Sequence, residues 1–317
     1  MRTITVKDTT QPRLDAYLLA QFPALSSGRL FKFLRENKIK LNGKKAPLTT
    51  PLQKGDVIKL FVQDELLTVN KDVPLFMQAK KHFDVVFEDD EVLLADKPAG
   101  LPCMDEAEET ADTLINRALR YLAENGTWTP RSKFTPCLCH RLDTGTSGLI
   151  LIAKSAAAFN ALTEMIKSRS MIKKYLCVTV GHPAVKNDTL KGYLNKDAEK
   201  GKVQISTVKR PGSKDVITKY RTLAVSGRLA LLEVELVTGR THQIRAHMAS
   251  IGCPILGDSK YGINTVNRSY KTKYQTLCAY SLAFPVIAQG PLQGLSQKTF
   301  HVQKPWYVKQ ILDHTLE

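Results

Sequence analysis

One short stretch carries the residue types that chemistry needs: His140-Arg141-Leu142-Asp143-Thr144-Gly145-Thr146-Ser147-Gly148. Glycines and hydroxyl residues make it a loop. The apolar run Leu149-Ile150-Leu151-Ile152-Ala153 that follows has strand length. A polar loop feeding a buried strand can hold a charged side chain at the floor of a cleft. Asp143 is the candidate. An opposite charge beside an aspartate favours its ionised form, and such a carboxylate can serve as nucleophile or as base. The plainer alternative is structural, with Asp143 capping the turn and Arg141 pairing with it.

Three further blocks shift the balance towards chemistry: Lys173-Lys174-Tyr175 at the start of a strand, Leu236-Val237-Thr238-Gly239-Arg240-Thr241-His242-Gln243-Ile244-Arg245-Ala246-His247, and Gly252-Cys253-Pro254-Ile255-Leu256-Gly257-Asp258 followed by Tyr261-Gly262. Together with His-Arg-Leu-Asp and its Thr-Ser-Gly, in this order, they resemble the RluA-type RNA pseudouridine synthases over about residues 83 to 290. Lys97-Pro98-Ala99-Gly100 fits the same pattern. The resemblance implies an isomerase that breaks the glycosidic bond of a uridine in RNA, turns the uracil and rejoins it through ring carbon five. Such a reaction takes no cofactor and no metal. Asp143 would be the catalytic carboxylate and Arg245 its basic partner. Arg141 would take the space of the extruded base, as base flipping requires. Tyr175 would stack on the flipped uracil, and Ile244 would close the pocket wall. The chain departs from the family at Thr144-Gly145, where many members carry a basic residue followed by Asp or Asn.

The elements that must position these residues are legible in part. At 317 residues the expectation is two domains, and 43% apolar residues suffice for an ordinary core. With 46 Lys and Arg against 30 Asp and Glu, the formal charge is +16, which points to a polyanionic partner. No apolar run reaches the roughly 18 residues that suggest a membrane span, so no membrane partner is expected. The N-terminus lacks a signal-peptide core, and the six cysteines are scattered, which reads as reduced thiols in a cytoplasmic protein. Cys137-x-Cys139-His140 has no second pair to complete a zinc site.

Residues 1 to 75 read as a small α/β RNA-binding domain and its linker, and residues 76 to 317 as the catalytic domain. In the first, Leu14, Leu18, Leu19 and Phe22 have helical spacing, and a second helix carries Leu30, Phe33 and Leu34. Arg29, Lys32 and Arg35 share another face of that helix. Asn42-Gly43 marks a hairpin turn, and Val57 to Val62 reads as a closing strand. Residues 1 to 62 hold twelve basic and four acidic side chains, half of the whole excess. The pattern resembles the ribosomal-protein S-four-like domain, whose basic helix faces would meet RNA phosphates.

In the catalytic domain a hairpin is expected around 85 to 95, helices at 113 to 125 and after Ser155, and a strand through Tyr175. Short strands are expected from 190 to 237, another strand at 277 to 284, and a final helix at 305 to 313. Residues 263 to 275, with Arg268, Lys271 and Lys273 and no acid, read as a mobile stretch. The basic turn region between 196 and 214 fits an RNA-facing arm and a solvated hairpin equally. Helices and strands that do not alternate argue for an α+β fold, a mixed and mainly antiparallel sheet with flanking helices. His242 and His247 lie five apart, off the i, i+4 spacing of a zinc pair, and read as hydrogen-bonding residues. His140 reads as a packing residue.

The leading expectation is a monomeric pseudouridine synthase acting on structured RNA, with large-subunit ribosomal RNA as the substrate. The alternatives are a transfer-RNA pseudouridine synthase and a non-catalytic RNA-binding assembly factor. A metal-dependent hydrolase would need a carboxylate–histidine cluster at ligand spacing, which the sequence does not offer.

Overall fold

The computed structural model describes residues 2–7, 13–22, 25, 27–62, 74–105, 110–197 and 201–316, with backbone alone at 27–29. The chain divides into two compact units, residues 1–80 with 104–116, and residues 81–103 with 117–317.

The first unit contains β1 (Arg2–Thr5), α1 (Leu14–Gln21), α2 (Ser27–Arg35), β2 (Ile39–Leu41) and β3 (Val57–Leu60). The strands form an antiparallel sheet in the order β1-β3-β2. Leu14, Leu18, Leu30, Phe33, Ile39, Ile58 and Leu60 make its core, so the apolar sides of both helices face the sheet. Asn42 (φ 50°) and Gly43 (φ 78°) are both left-handed, as a tight primed turn requires. Lys32 and Arg35 are exposed on α2; the side chain of Arg29 lies outside the described residues, as does most of the expected linker, 63–73. The strand β1, which pairs four residues with β3, has no sequence signal beyond Ile4, because its other three residues are exposed.

The second unit is built on one large sheet. Its elements are β4 (Asp84–Glu88), β5 (Val92–Lys97), α3 (Leu114–Glu124), β6 (Cys137–Leu138), β7 (Ser147–Ala153), α4 (Ala156–Lys167), β8 (Ile172–Val180), β9 (Asn187–Asp197), β10 (Lys202–Ser206), β11 (Lys214–Ser226), β12 (Leu229–Leu236), α5 (Gln243–Ser250), α6 (Asn264–Ser269), β13 (Leu277–Ala283), β14 (Thr299–His301) and α7 (Trp306–Leu312). The first three residues of α3 belong to the other unit. The order is β10-β9-β11-β12-β8-β13-β7-β5-β4, with β6 on β7 and β14 on β13. All described pairings are antiparallel except β13 with β7. This is the α+β architecture expected.

The period-two alternation of a strand sorts its side chains onto two cores. On β8, Leu176, Val178 and Val180 join a cluster with Ala158 and Leu162 of α4 and Val308 and Ile311 of α7. Tyr175 and Cys177 point the other way, into a cluster with Ile244 and Met248 of α5. On β12, Leu229 and Leu231 side with the first cluster, and Ala230, Leu232 and Val234 with the second. Tyr175 and the helix that carries Arg245 therefore share one face of the sheet.

Two expectations need correction. Strands β9 and β11 are long, 11 and 13 residues, because each keeps its pairing past polar positions that look like turns in the sequence. Residues 263 to 275 are built into the fold: α6 buries Asn267, whose amide bonds Gly257 N and Asp258 O, and Gln275 is 9% exposed. Three cations in a row concealed buried polar anchors.

Candidate active site

Asp143 sits in the loop that leads into β7. Its carbonyl accepts from Thr146 N (2.9 Å), closing a turn before the strand. Beyond the turn, Gly148 (φ +108°) lies against Ala279 of β13, where a Cβ would stand 2.6 Å from Ala279 N. Only glycine lets the two parallel backbones approach there. Ala279 is paired with Gly148 on one side and with Tyr175 on the other, so β13 sets the spacing between catalytic loop and aromatic.

A second loop braces the backbone on either side of Asp143. Lys97, wholly buried, donates to the carbonyls of Pro98 (3.0 Å), Leu101 (2.7 Å) and Thr144 (3.1 Å). Gly100 N also donates to Thr144 O (2.7 Å), and the thiol of Cys103 contacts both N and O of Leu142 at 3.3 Å. Three ammonium protons meet three carbonyls, which is how a buried lysine avoids an unsatisfied charge. Burial lowers the Lys97 pKa to about 8. His140 accepts from Leu151 N through Nε2 (3.2 Å), and burial lowers its pKa to about 3, so it is a neutral packing residue.

Arg245, 5% exposed on α5, joins two acids. Its Nε and Nη2 donate to Asp258 Oδ2 (2.7 Å) and Oδ1 (2.9 Å) as a fork, and its Nη1 donates to Asp143 Oδ2 (2.7 Å). Asp258 is fully buried and also accepts from Lys260 N (2.8 Å) and Tyr261 N (3.0 Å). Burial alone would lower the Arg245 pKa, but Asp258 and Asp143 outweigh it and hold the guanidinium charged. Burial likewise pushes Asp258 up, and Arg245 more than offsets it, leaving Asp258 below the ordinary carboxylate value. The Tyr261 ring lies 5.3 Å from the guanidinium carbon. His242, left-handed at φ 55° before α5, bonds the Tyr261 hydroxyl through Nδ1 (3.0 Å) and lies 3.9 Å from Asp143 Oδ2. Burial lowers its pKa, which keeps it neutral.

The helix itself is docked by a polar chain. Thr238 Oγ1 donates to Gln243 Oε1 (2.9 Å), Gln243 Nε2 donates to Thr218 Oγ1 (2.9 Å), and Thr218 bonds His247 Nδ1 (2.7 Å). These bonds seat α5 on β11 and so set where Arg245 points.

The structure thus brings together Asp143, Arg245, Tyr175 and Ile244. Tyr175 and Ile244 are buried in one apolar cluster with Leu142, and burial raises the Tyr175 pKa, so its hydroxyl stays protonated. Arg141 is exposed on the same loop. Asp143 keeps a quarter of its side chain exposed, and among the described residues its Oδ1 accepts no hydrogen bond. A carboxylate with one oxygen held and one free suits attack on a sugar carbon or removal of a sugar proton. Arg245 occupies the space between the two acids, where a metal would have to sit. Asp258, Lys97 and Tyr261 have no assigned role in the sequence reading. A buried Asp thirteen residues from its Arg has no helical or strand period to reveal it.

Residues 91–250 match the family model for RNA pseudouridylate synthase. An uncharacterised RNA pseudouridine synthase of Mycoplasma pneumoniae is 30% identical over 316 residues, 97% of each chain. The chain belongs to the RNA pseudouridine synthase family. It is an RluA-type isomerase that acts on RNA. A ribosomal large subunit pseudouridine synthase C of Rickettsia typhi is 35% identical over 79% of this chain and 82% of that one. A human RNA pseudouridylate synthase domain-containing protein, number 4 of its series, shares the fold, with a TM-score of 0.57 at 22% identity over 73% of this chain and 92% of that one.

Proposed function

We propose that the protein converts specific uridines of large-subunit ribosomal RNA to pseudouridine, with Asp143 as its catalytic carboxylate. The observation that carries the chemistry is the half-engaged Asp143, held through Oδ2 by Arg245 and open at Oδ1. The names of relatives such as the Rickettsia typhi synthase support the choice of ribosomal RNA. The net reaction breaks the bond from ribose C1′ to N1, forms one from C1′ to C5, and moves the C5 proton to N1. Asp143 either bonds C1′ or takes a sugar proton, and both routes need a carboxylate oxygen that is not already engaged, as Oδ1 is not. Tyr175 stacks on the loosened ring, Ile244 closes the wall, and Arg141 enters the space left by the extruded base. The exposed Lys32 and Arg35 of the N-terminal unit, with Arg29, add phosphate contacts that give affinity without reading sequence. The protein acts as a monomer in the cytoplasm, where its substrate is and where its six free thiols stay reduced.

The test is pseudouridine mapping after incubating the protein and its Asp143→Asn variant with ribosomal and transfer RNA transcripts. Wild type should modify the large-subunit transcript and Asp143→Asn should not, while both bind it. Modification of transfer RNA alone would move the protein to the other substrate class.

A further inference from the structure

Gly145 lies two residues after Asp143, and its φ is not in the left-handed region, so its backbone does not require glycine. Space does. A Cβ at 145 would overlap Gln275 Oε1 and stand 2.8 Å from Gln275 Cδ. The Gln275 amide fills the place a side chain would take, is 9% exposed, and donates through Nε2 to Thr146 Oγ1 (3.0 Å). Thr146 is itself 2% exposed and its N–H holds the Asp143 carbonyl. The contact thus runs from Gln275 to Thr146 to the backbone of Asp143.

The same segment is fixed at two more glycines. A Cβ at Gly100 would stand 2.5 Å from the Tyr274 hydroxyl, and one at Gly257 would overlap the Tyr274 carbonyl. Gly100 belongs to the loop that braces Thr144, and Gly257 precedes Asp258. Residues 274 and 275 therefore touch all three loops of the site: the one bearing Asp143, its brace, and the one bearing the acid that orients Arg245.

From this contact we infer that Gln275 is a positioning residue for catalysis: its amide, seated against Gly145 and Thr146, sets the turn that aims Asp143. The inference rests on Asp143 being the catalytic carboxylate. Gly145→Ala and Gln275→Ala then remove the same thing. In the first the amide is displaced from its seat, which costs little sterically because it is the end of a flexible side chain, and in the second it is absent. Each single variant should lower kcat by roughly tenfold, within what a small misplacement of reacting groups costs, with KM for RNA nearly unchanged. The double variant should match Gln275→Ala and not fall by the product of the two, because a shared contact is lost only once.

The experiment is single-turnover and steady-state kinetics on one RNA transcript for the three variants, with Asp143→Asn and thermal melts alongside. The expected result is coincident kcat values for the two single variants and the double variant, with melting temperatures close to wild type. Three results would overturn the inference: wild-type kcat in Gln275→Ala, multiplicative losses in the double variant, or losses that track melting temperature. Activity in Asp143→Asn is a separate result, which would refute the catalytic reading itself.

Discussion

Arg245 gives two of its N–H groups to Asp258 and one to Asp143. The fork goes to the acid that is wholly buried, and the single bond goes to the acid that is partly open. Asp258 neutralises and orients the guanidinium, so Arg245 can steady Asp143 without taking both of its oxygens.

Asp258→Asn should therefore cost stability as well as turnover. It keeps the shape and removes the charge that balances a buried arginine, and breaking such a pair costs about 3–5 kcal/mol. The Asp258 pKa is depressed in the fold, so its contribution is present above the ordinary carboxylate value and is lost as pH falls through the lower folded value. Denaturant titrations should show wild type losing stability below about pH 4 and Asp258→Asn losing less there. Equal stabilities at pH 7 would remove Asp258 from this role.

Arg245→Met should be as destabilising, because it leaves Asp258 buried without its counter-charge. Adding Asp258→Asn to it should return part of the stability and none of the activity. Arg245→Lys should keep only part of the rate, since a point charge replaces a fork. Melting curves and single-turnover rates separate the two effects.

Asp96 offers a pH test away from the chemistry. Burial, and then Asp84 facing it across β4 and β5, raise its pKa to about 6. A carboxyl raised in the fold is penalised once it ionises, so the cost grows as pH rises from the ordinary value and is complete above pH 6. Asp96→Asn should raise the melting temperature by a few degrees at pH 8 and leave it unchanged at pH 3.5. A uniform shift at both values would point to packing instead of charge.

Lys32→Gln with Arg35→Gln tests the N-terminal unit. Both side chains are exposed, so folding should be intact. If each neutralises one phosphate, the slope of log affinity against log salt should flatten by about 0.7–0.9 per cation removed. Filter binding or fluorescence titration at several salt concentrations reads this directly. An unchanged slope would show that this helix face does not meet RNA.

Much of this is legible in the sequence. The Asn42-Gly43 turn, Ser155 accepting from Ala158 N as the cap of α4, and the apolar β7 follow from local chemistry. Asp143 and Arg245 could be named from the motif blocks because their types and order survive without geometry. Asp258 and Lys97 stand in such blocks without a legible role, and Gln275 stands in none. Each acts through a partner 13, 47 or 129 residues away, so its neighbours in sequence do not reveal what it does. The stretch 263 to 275 misled for the same reason: its cations face solvent while Asn267 and Gln275 do the anchoring inside.

The central claim is tested most directly by mapping pseudouridines in RNA from cells lacking the protein, complemented with wild type or with Asp143→Asn. At least one uridine of large-subunit ribosomal RNA should lose its pseudouridine signal, regain it with wild type and not with Asp143→Asn. An unaltered large-subunit map, or restoration by Asp143→Asn, would contradict the account.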